Sequence, residues 1–480
     1  MTTMAVEMSA SRLLGPYFGN SLFIWANLIG LILIYLTAGY YLGGRVADRW
    51  PQPRLLFTLT LFASVAIAIV PFIAKPIMSV AIRGIDQVNA GAFLGSFGVT
   101  VLLFAAPVTV LGMVAPFAIR LNITSIETSG NVSGGLYALS TVGSIIGTFL
   151  PVFLFIPWIG TRDTMLLFAG ALAVISTAGL RRGYHVAAPI LIFAALLIPP
   201  GEIKPTAGAI YEGESPYQYV QVIQKDGTRY LQLNEGWAVH SEYNPSQPLT
   251  GGYWDYFLVA PWFGSSRPPG EVLNIGSAAG TICKELLDVY PRAHVDAVEL
   301  DPDVVAVGRK YFDMNEKNLT VYVGDGRPYI KTCRKSYDMI AIDAFRQPYI
   351  PFYLTTREFF QEVKDHLNPG GTVMINVGTV PGDSKLADAI AATMRDVYPS
   401  VYSFSAGEFN QLIVATKDPS RAGELAARKS AMPAPVASLT DAALAHLSAV
   451  QPGGTILTDD KAPVEWLTDQ MIIHYATDQR

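Results

Sequence analysis

Residues 271–300, EVLNIGSAAGTICKELLDVYPRAHVDAVEL, hold the pattern on which the fold reading turns. An apolar run at 272–275 gives way at once to Gly276-Ser277-Ala278-Ala279-Gly280, and a helical pattern follows over 281–290. A strand that passes through a small-residue turn straight into a helix opens a βαβ unit, with the helix N-terminus free to face an anion or a polar ligand. A second strand at 294–300 ends on Glu299, nineteen residues after Gly280. A carboxylate in that place can accept hydrogen bonds from both hydroxyls of a ribose. Alternation continues downstream, with strands at 320–323, 337–343 and 372–377 and helices at 304–312 and 356–366. The third strand runs into Gly324-Asp325-Gly326, placed to read an adenine edge, and the fourth into Asp343. All four features fall at the C-terminal ends of strands, where open α/β sheets bind ligands. The expected fold is a doubly wound, Rossmann-like, methyltransferase-type sheet. Ala278 stands where a dinucleotide fingerprint has its second glycine, and no third glycine follows. That favours S-adenosylmethionine or its decarboxylated form over a dinucleotide.

Upstream, residues 217–224 and 228–233 alternate around Lys225-Asp226-Gly227, a hairpin signal that predicts a small β subdomain over 201–265 before the nucleotide-binding domain at 266–480. Residues 1–200 are of another kind. They contain ten Lys/Arg and five Asp/Glu, against 24 and 34 in the remainder, so the two parts carry net charges of +5 and −10. Only 15% of the 480 residues are charged and the mean hydropathy is +0.32. A single soluble domain, a disordered chain and a fibrous repeat are excluded, and the acidic soluble part argues against a nucleic-acid partner. Apolar stretches at 18–43, 55–74, 92–119, 134–159 and 164–180, with a shorter one at 185–199, predict an α-helical membrane domain of six or seven spans. Gly134, Ser140, Gly143 and Gly147 are expected to let helices approach closely. The stretch 75–89, with Arg83, Asp86, Gln87 and Asn89, reads as an interfacial or re-entrant helix. No charge sits near the middle of a clear span, which counts against an ion pathway. Arg45, Arg49, Arg54, Arg120, Arg181 and Arg182 mark loops that the positive-inside rule assigns to the cytoplasm. With six spans the C-terminal half would then lie outside, whereas a cytosolic nucleotide demands the cytoplasmic side. The latter is the expectation here, in a cell membrane of bacterial type. Cys283 and Cys333 follow no metal or disulfide spacing, and no metal is expected.

Residues 272–310, Gly324-Asp325-Gly326, Ile342-Asp343-Ala344-Phe345 and Leu367-Asn368-Pro369-Gly370-Gly371 together resemble the spermidine synthase (polyamine aminopropyltransferase) superfamily. Glu214-Ser215-Pro216-Tyr217-Gln218 and Leu233-Asn234-Glu235-Gly236 resemble its N-terminal hairpin region. The membrane-fused branch is suggested by Phe18-Gly19-Asn20-Ser21-Leu22, by 43–49 and by 457–465. The resemblance implies that Gly276, Ser277, Gly280, Asp325, Gly326 and Gln218 surround the nucleotide. It implies that Glu299 binds the ribose and Asp325 the adenine, and that Asp343 serves the reacting amine. From their own chemistry, Tyr217, Gln218, Tyr349 and Tyr353 read either as walls of the substrate cleft, as aromatics surround cationic groups, or as core or rim packing, and His240 either as a pocket-entrance residue or as a surface-loop histidine. Two departures stand out. Ala279 replaces the turn aspartate that in the soluble synthases binds the amino end of the donor, and Arg346 replaces the acidic residue that holds the diamine. An arginine there suits a carboxylate. The resemblance thus leaves open a membrane-bound aminopropyl-type transferase that releases methylthioadenosine, a lyase forming methylthioadenosine and homoserine lactone from S-adenosylmethionine, and a nucleotide-sensing transporter. The partners implied are the nucleotide, an amine and the lipid bilayer, with a homodimer as one possible assembly. Asp459 and Asp460 read either as a pocket closure or as a helix cap.

Overall fold

The computed structural model describes the chain apart from residues 19–21, 89–90, 182, 200, 235, 237, 347–348 and 479–480, together with the side chains of 22–23, 82–88, 91–94 and 476–478. Gly19, Asn20, Ser21, Asn89, Arg182 and Glu235, named above, lie outside the described residues, as do the side chains of Arg83, Asp86 and Gln87. The chain forms two compact units. The first comprises Met1–Pro205 with the short pieces Glu212–Tyr219 and Asn234–Gly236, and the second the remainder.

The first unit is a helical bundle of α1 (Thr2–Phe18), α2 (Leu22–Arg49), α3 (Pro53–Val88), α4 (Gly91–Gly112), α5 (Val114–Asn122), α6 (Ser129–Leu150), α7 (Ile156–Leu180) and α8 (Ala187–Ala194). Four stretches are long and apolar enough to cross a membrane: Ile24–Arg49, Pro53–Ala81, Gly95–Asn122 and Ser129–Leu180. The last is 52 residues long, twice what one crossing needs, and is broken by a π turn at Pro151–Phe155 and by Gly160 at φ +78°. Stretch 75–89 is not a separate re-entrant element, since α3 continues through it to Val88 despite Pro71 and Pro76. Close approach occurs at Gly147, where a Cβ would sit 2.7 Å from Met1 Cα, next to the start of α1, but not at Gly134, where nothing lies within 4 Å. A second close approach, not expected, joins α2 to α4, where a Cβ on Gly39 would sit 2.8 Å from Gly112 Cα.

The antiparallel sheet has the order β1 (Ala209–Glu214), β2 (Tyr219–Lys225), β3 (Thr228–Leu233), β4 (Val239–Tyr243). Asp226 and Gly227, at φ +50° and +83°, make the two-residue turn between Lys225 and Thr228 that right-twisted hairpins favour. After a 3₁₀ turn (Tyr253–Val259) and the short α9 (Pro261–Gly264), the expected alternation follows: β5 (Glu271–Ile275), α10 (Thr281–Val289), β6 (His294–Glu299), α11 (Pro302–Tyr311), β7 (Leu319–Val323), α12 (Gly326–Thr332), β8 (Tyr337–Ile342), α13 (Arg357–Asp365) and β9 (Leu367–Gly378). Beyond these lie α14 (Lys385–Val397), β10 (Ser400–Ser405), β11 (Asn410–Thr416), α15 (Ala422–Arg428), α16 (Ala434–His446), β12 (Ser448–Ala449) and α17 (Val464–Asp478).

The eight-stranded sheet runs β12-β10-β11-β9-β8-β5-β6-β7. Its five strands from β9 to β7 are parallel, and β11, β10 and β12 add on antiparallel. The inner parallel strands β5, β6 and β8 are buried on both faces, which is why they read as apolar runs, whereas the edge strand β7 is only half-buried. The chain leaves β5 toward β6 and β7, then returns to β8 on the other side. The switch point therefore lies between β5 and β8, where such sheets open a crevice.

Candidate active site

Gly276 opens the turn after β5 at φ +81°, and a Cβ there would lie 2.5 Å from Ala344 Cα and 2.6 Å from Asp343 O. Only glycine lets this turn abut the segment leaving β8, and Asp343 N–H donates to Ile275 O at 2.9 Å across that join. Ala278 takes φ +46°, uncommon for a residue with a Cβ, and its N–H donates to Glu299 Oε2 at 2.8 Å. The neighbouring Ala279 N–H donates to Ser241 Oγ on β4 at 2.9 Å, and Gly280 N–H to Ser277 O at 2.8 Å. The Ser277 hydroxyl, 4% exposed, has no hydrogen-bond partner among the described residues.

Glu299 ends β6 and ties the turn to α11, its Oε1 accepting Asp301 N–H at 3.1 Å. Burial pushes its carboxyl up to about 7 against the pull of the Asp301 and Ala278 amides. Asp325 caps α12 through Arg327 N–H at 2.9 Å, and its other oxygen accepts the Tyr353 hydroxyl at 2.7 Å. Gly326 is required next to it, since a Cβ would lie 2.3 Å from Ile275 Cγ2.

Asp343 is neither a cap nor a turn residue. Its Oδ2 accepts the Tyr253 hydroxyl at 2.9 Å and its Oδ1 accepts Asn376 Nδ2 from β9 at 3.0 Å. Burial pushes this carboxyl up to about 6, although donors from Asn376, Tyr253 and Trp254 oppose the shift. The Tyr253 phenol is itself driven well above its ordinary range by burial and by Asp343. The result is a carboxylate held in one orientation by two neutral donors, with a proton affinity close to neutral pH.

Tyr253 and Asn376 are the site residues that the sequence reading missed. Asn376 had a signal, as the one amide within the apolar run from Val373 to Val377. Of the remaining candidates, Arg346 is exposed and forms a tight bridge with Tyr349. Tyr349 is buried, and its hydroxyl donates to Asp469 of α17 at 2.6 Å. His240 is half-buried on β4, one residue before Ser241. Tyr217 and Gln218 lie in the turn between β1 and β2, where both amides donate to Ser215 Oγ at 3.0 Å. Asp459 caps no helix. It grips Arg327 through both oxygens at 2.7 and 2.8 Å, while Glu362 holds the same guanidinium at 3.0 Å. Among the described residues no cluster of three His, Cys, Asp or Glu could hold a metal ion.

Residues 261–407 match the family model of the spermine/spermidine synthase domain. The polyamine aminopropyltransferase of Vibrio vulnificus is 34% identical over 226 residues, which span 45% of this chain and 74% of that protein. The chain belongs to the polyamine aminopropyltransferase family. Its relatives are transferases. A probable polyamine aminopropyl transferase of Bifidobacterium longum is 30% identical over 277 residues, 54% of this chain, and the match spans 61% of that relative's length. A probable spermidine synthase from Corynebacterium glutamicum is structurally similar with a TM-score of 0.41 and 19% identity, covering 53% of this chain and 99% of that one.

Proposed function

We propose that this family member is a membrane-anchored transferase that binds a sulfonium nucleoside, S-adenosylmethionine or its decarboxylated form, and passes an aminopropyl-type group to an amine. The observation that carries the reading is Asp343, a part-buried carboxylate with a raised proton affinity, oriented by Tyr253 and Asn376 beside the Gly276 turn. In the reaction the acceptor nitrogen attacks the carbon bonded to the sulfonium sulfur. The C–S bond breaks, its electron pair neutralises the sulfur as methylthioadenosine leaves, and the nitrogen's surplus proton passes to Asp343. Little electrophilic assistance is needed, because the leaving group is already cationic. The protein's share is alignment and deprotonation. Glu299 would accept the ribose hydroxyls, and Asp325 with Tyr353 would face the base. The anchoring bilayer is a bacterial-type cell membrane, with the site on its cytoplasmic side where the nucleotide is made.

A second reading is favoured by Ala279 and the exposed Arg346, which leave the family's two amine-holding positions without a carboxylate. Here the carboxylate of intact S-adenosylmethionine would displace its own sulfur, giving homoserine lactone and methylthioadenosine. Purified protein incubated with each donor, with and without putrescine, separates the two by mass spectrometry. The transferase reading expects methylthioadenosine and the aminopropylated amine only when both substrates are present. Methylthioadenosine from intact donor alone would replace it with the lyase. Tight binding without turnover of either donor would leave a nucleotide sensor.

A further inference from the structure

The loop that leaves β8 carries Asp343 at its start and is pinned through two tyrosine hydroxyls. Tyr353 donates to Asp325 on the nucleotide side, and Tyr349 donates to Asp469 of α17 at 2.6 Å. Arg346 and Tyr349 also exchange backbone hydrogen bonds of 2.7 and 3.1 Å, so whatever holds Tyr349 holds Arg346 as well. α17 is itself fixed. Val464 and Thr468 are buried, the helix packs on α14, and His474 Nδ1 lies 3.2 Å from Asp383 Oδ2 in the turn after β9. The helix thus straps the loops that follow β8 and β9, the strands that present Asp343 and Asn376.

Glu465 and Asp469 lie one turn apart on α17, a spacing at which like charges repel. Burial and the neighbouring Asp469 hold the Glu465 carboxyl above its usual range, and burial does the same for Asp469. The loop supplies what offsets this, the Arg346 guanidinium for Glu465 and the Tyr349 hydroxyl for Asp469. Two carboxylates that burden their own helix are therefore matched to one cation and one phenol on the loop after Asp343. We propose that Asp469 and Glu465 are positioning residues for the acceptor side of the site. Asp469 fixes the loop through Tyr349, and Glu465 cancels an Arg346 charge that would otherwise repel an incoming ammonium group. Both roles rest on the transferase reading and narrow it, since an arginine balanced by the protein is a poor receptor for a substrate carboxylate.

Steady-state kinetics of the full chain in detergent, with decarboxylated S-adenosylmethionine and putrescine, test both roles. Tyr349→Phe and Asp469→Ala are each expected to raise the putrescine KM about tenfold while kcat stays within about twofold. The double variant should lose no more than the more affected single one, because the two residues act through one hydrogen bond. Glu465→Gln leaves that bond intact and should also raise the putrescine KM, and Arg346→Gln added to it should restore the wild-type value. Additive losses in the first pair, or no rescue in the second, would overturn the proposal. Hydrogen exchange separates its failure from that of the transferase reading. Amides of residues 349–356 should exchange faster in Tyr349→Phe and Asp469→Ala even where neither donor is turned over. Unchanged exchange would overturn the positioning role whatever the turnover, whereas faster exchange without turnover would count against the transferase reading alone.

Discussion

Asp343 and Glu299 are two carboxyls raised by the same cause and expected to show it differently. Asp343 must be ionised to take a proton, so kcat/KM should rise with pH through about 6 and level off above. Tyr253→Phe removes a donor that favours the ionised form, so Asp343 should titrate higher and the rising limb should move to higher pH. The rate on the plateau should fall about tenfold, since the other donor, Asn376, still holds the carboxylate. A limb that stays in place would show that Asp343 is not the titrating base. Asp343→Asn should lose about 10²–10⁴ in kcat with little change in nucleotide affinity. Glu299 acts on binding instead. Its carboxylate is the form that accepts ribose hydroxyls, so nucleotide affinity should strengthen as pH rises through about 7. Glu299→Gln should abolish that dependence in a fluorescence or calorimetric titration. An unchanged pH profile would remove the ribose assignment.

The turn, the helix caps and the strand ends were legible in the sequence because each is local. Gly276 through Gly280 announce a tight turn by composition, and Asp325 lies one residue from the helix that it caps. The partners of Asp343 were not legible, because Tyr253 and Asn376 come from 90 and 33 residues away, Asn376 through the pairing of β9 with β8 and Tyr253 from the 3₁₀ turn that precedes β5. Asp459 illustrates the same limit. Its role as one jaw on Arg327 depends on a contact across 132 residues, whereas its local sequence suggested a cap. Arg327 is 8% exposed, joins α12 to α13 through Glu362, and also donates to Tyr353 O at 3.2 Å. Arg327→Gln leaves Glu362 and Asp459 facing each other without a cation. Both carboxylates are partly solvated, so a cost of about 1–3 kcal/mol is expected rather than that of a fully buried pair. Thermal melting of the variant should show it, together with a raised nucleotide Kd, because Tyr353 is the residue bound to Asp325. A variant with unaltered melting would mean that the clamp contributes nothing to stability.

At the scale of the whole chain, the question is which side of the membrane the second unit faces, and the bundle changes the terms of that question. Arg45, Arg49, Arg54, Arg120 and Arg181 gather at one end, where Arg120 pairs with Asp48 at 3.1 Å and Thr60 meets Ser176 at 2.8 Å. Lys75 lies 21 residues along α3 from Arg54, about 32 Å of helix and thus one bilayer core away. At that far end Lys75 donates to Glu202 O, Tyr17 to Ile203 O at 2.8 Å, and Arg162 to Ala195 O and Ile198 O at 2.7 and 2.8 Å. The segment through α8 therefore runs back along α7 and brings the chain to the far end by Ile203. α1 adds no pass. Met1 packs at Gly147 and Tyr17 at Ile203, so the helix lies across the far end. The far end is basic as well, with Arg12, Lys75, Arg162 and Lys204, so the charge asymmetry that argued for an external second unit is largely cancelled. Under the proposed function, use of a cytosolic nucleotide then predicts that the second unit faces the cytoplasm. In intact cells a membrane-impermeant maleimide should label Ile126→Cys, in the loop after α5 at the arginine-rich end, and should leave Lys225→Cys, in the exposed hairpin turn, untouched until the cells are permeabilised. The reverse pattern would place Asp343 and Glu299 beyond the reach of cytosolic S-adenosylmethionine, and the proposed reaction would have to give way to one on an exported substrate.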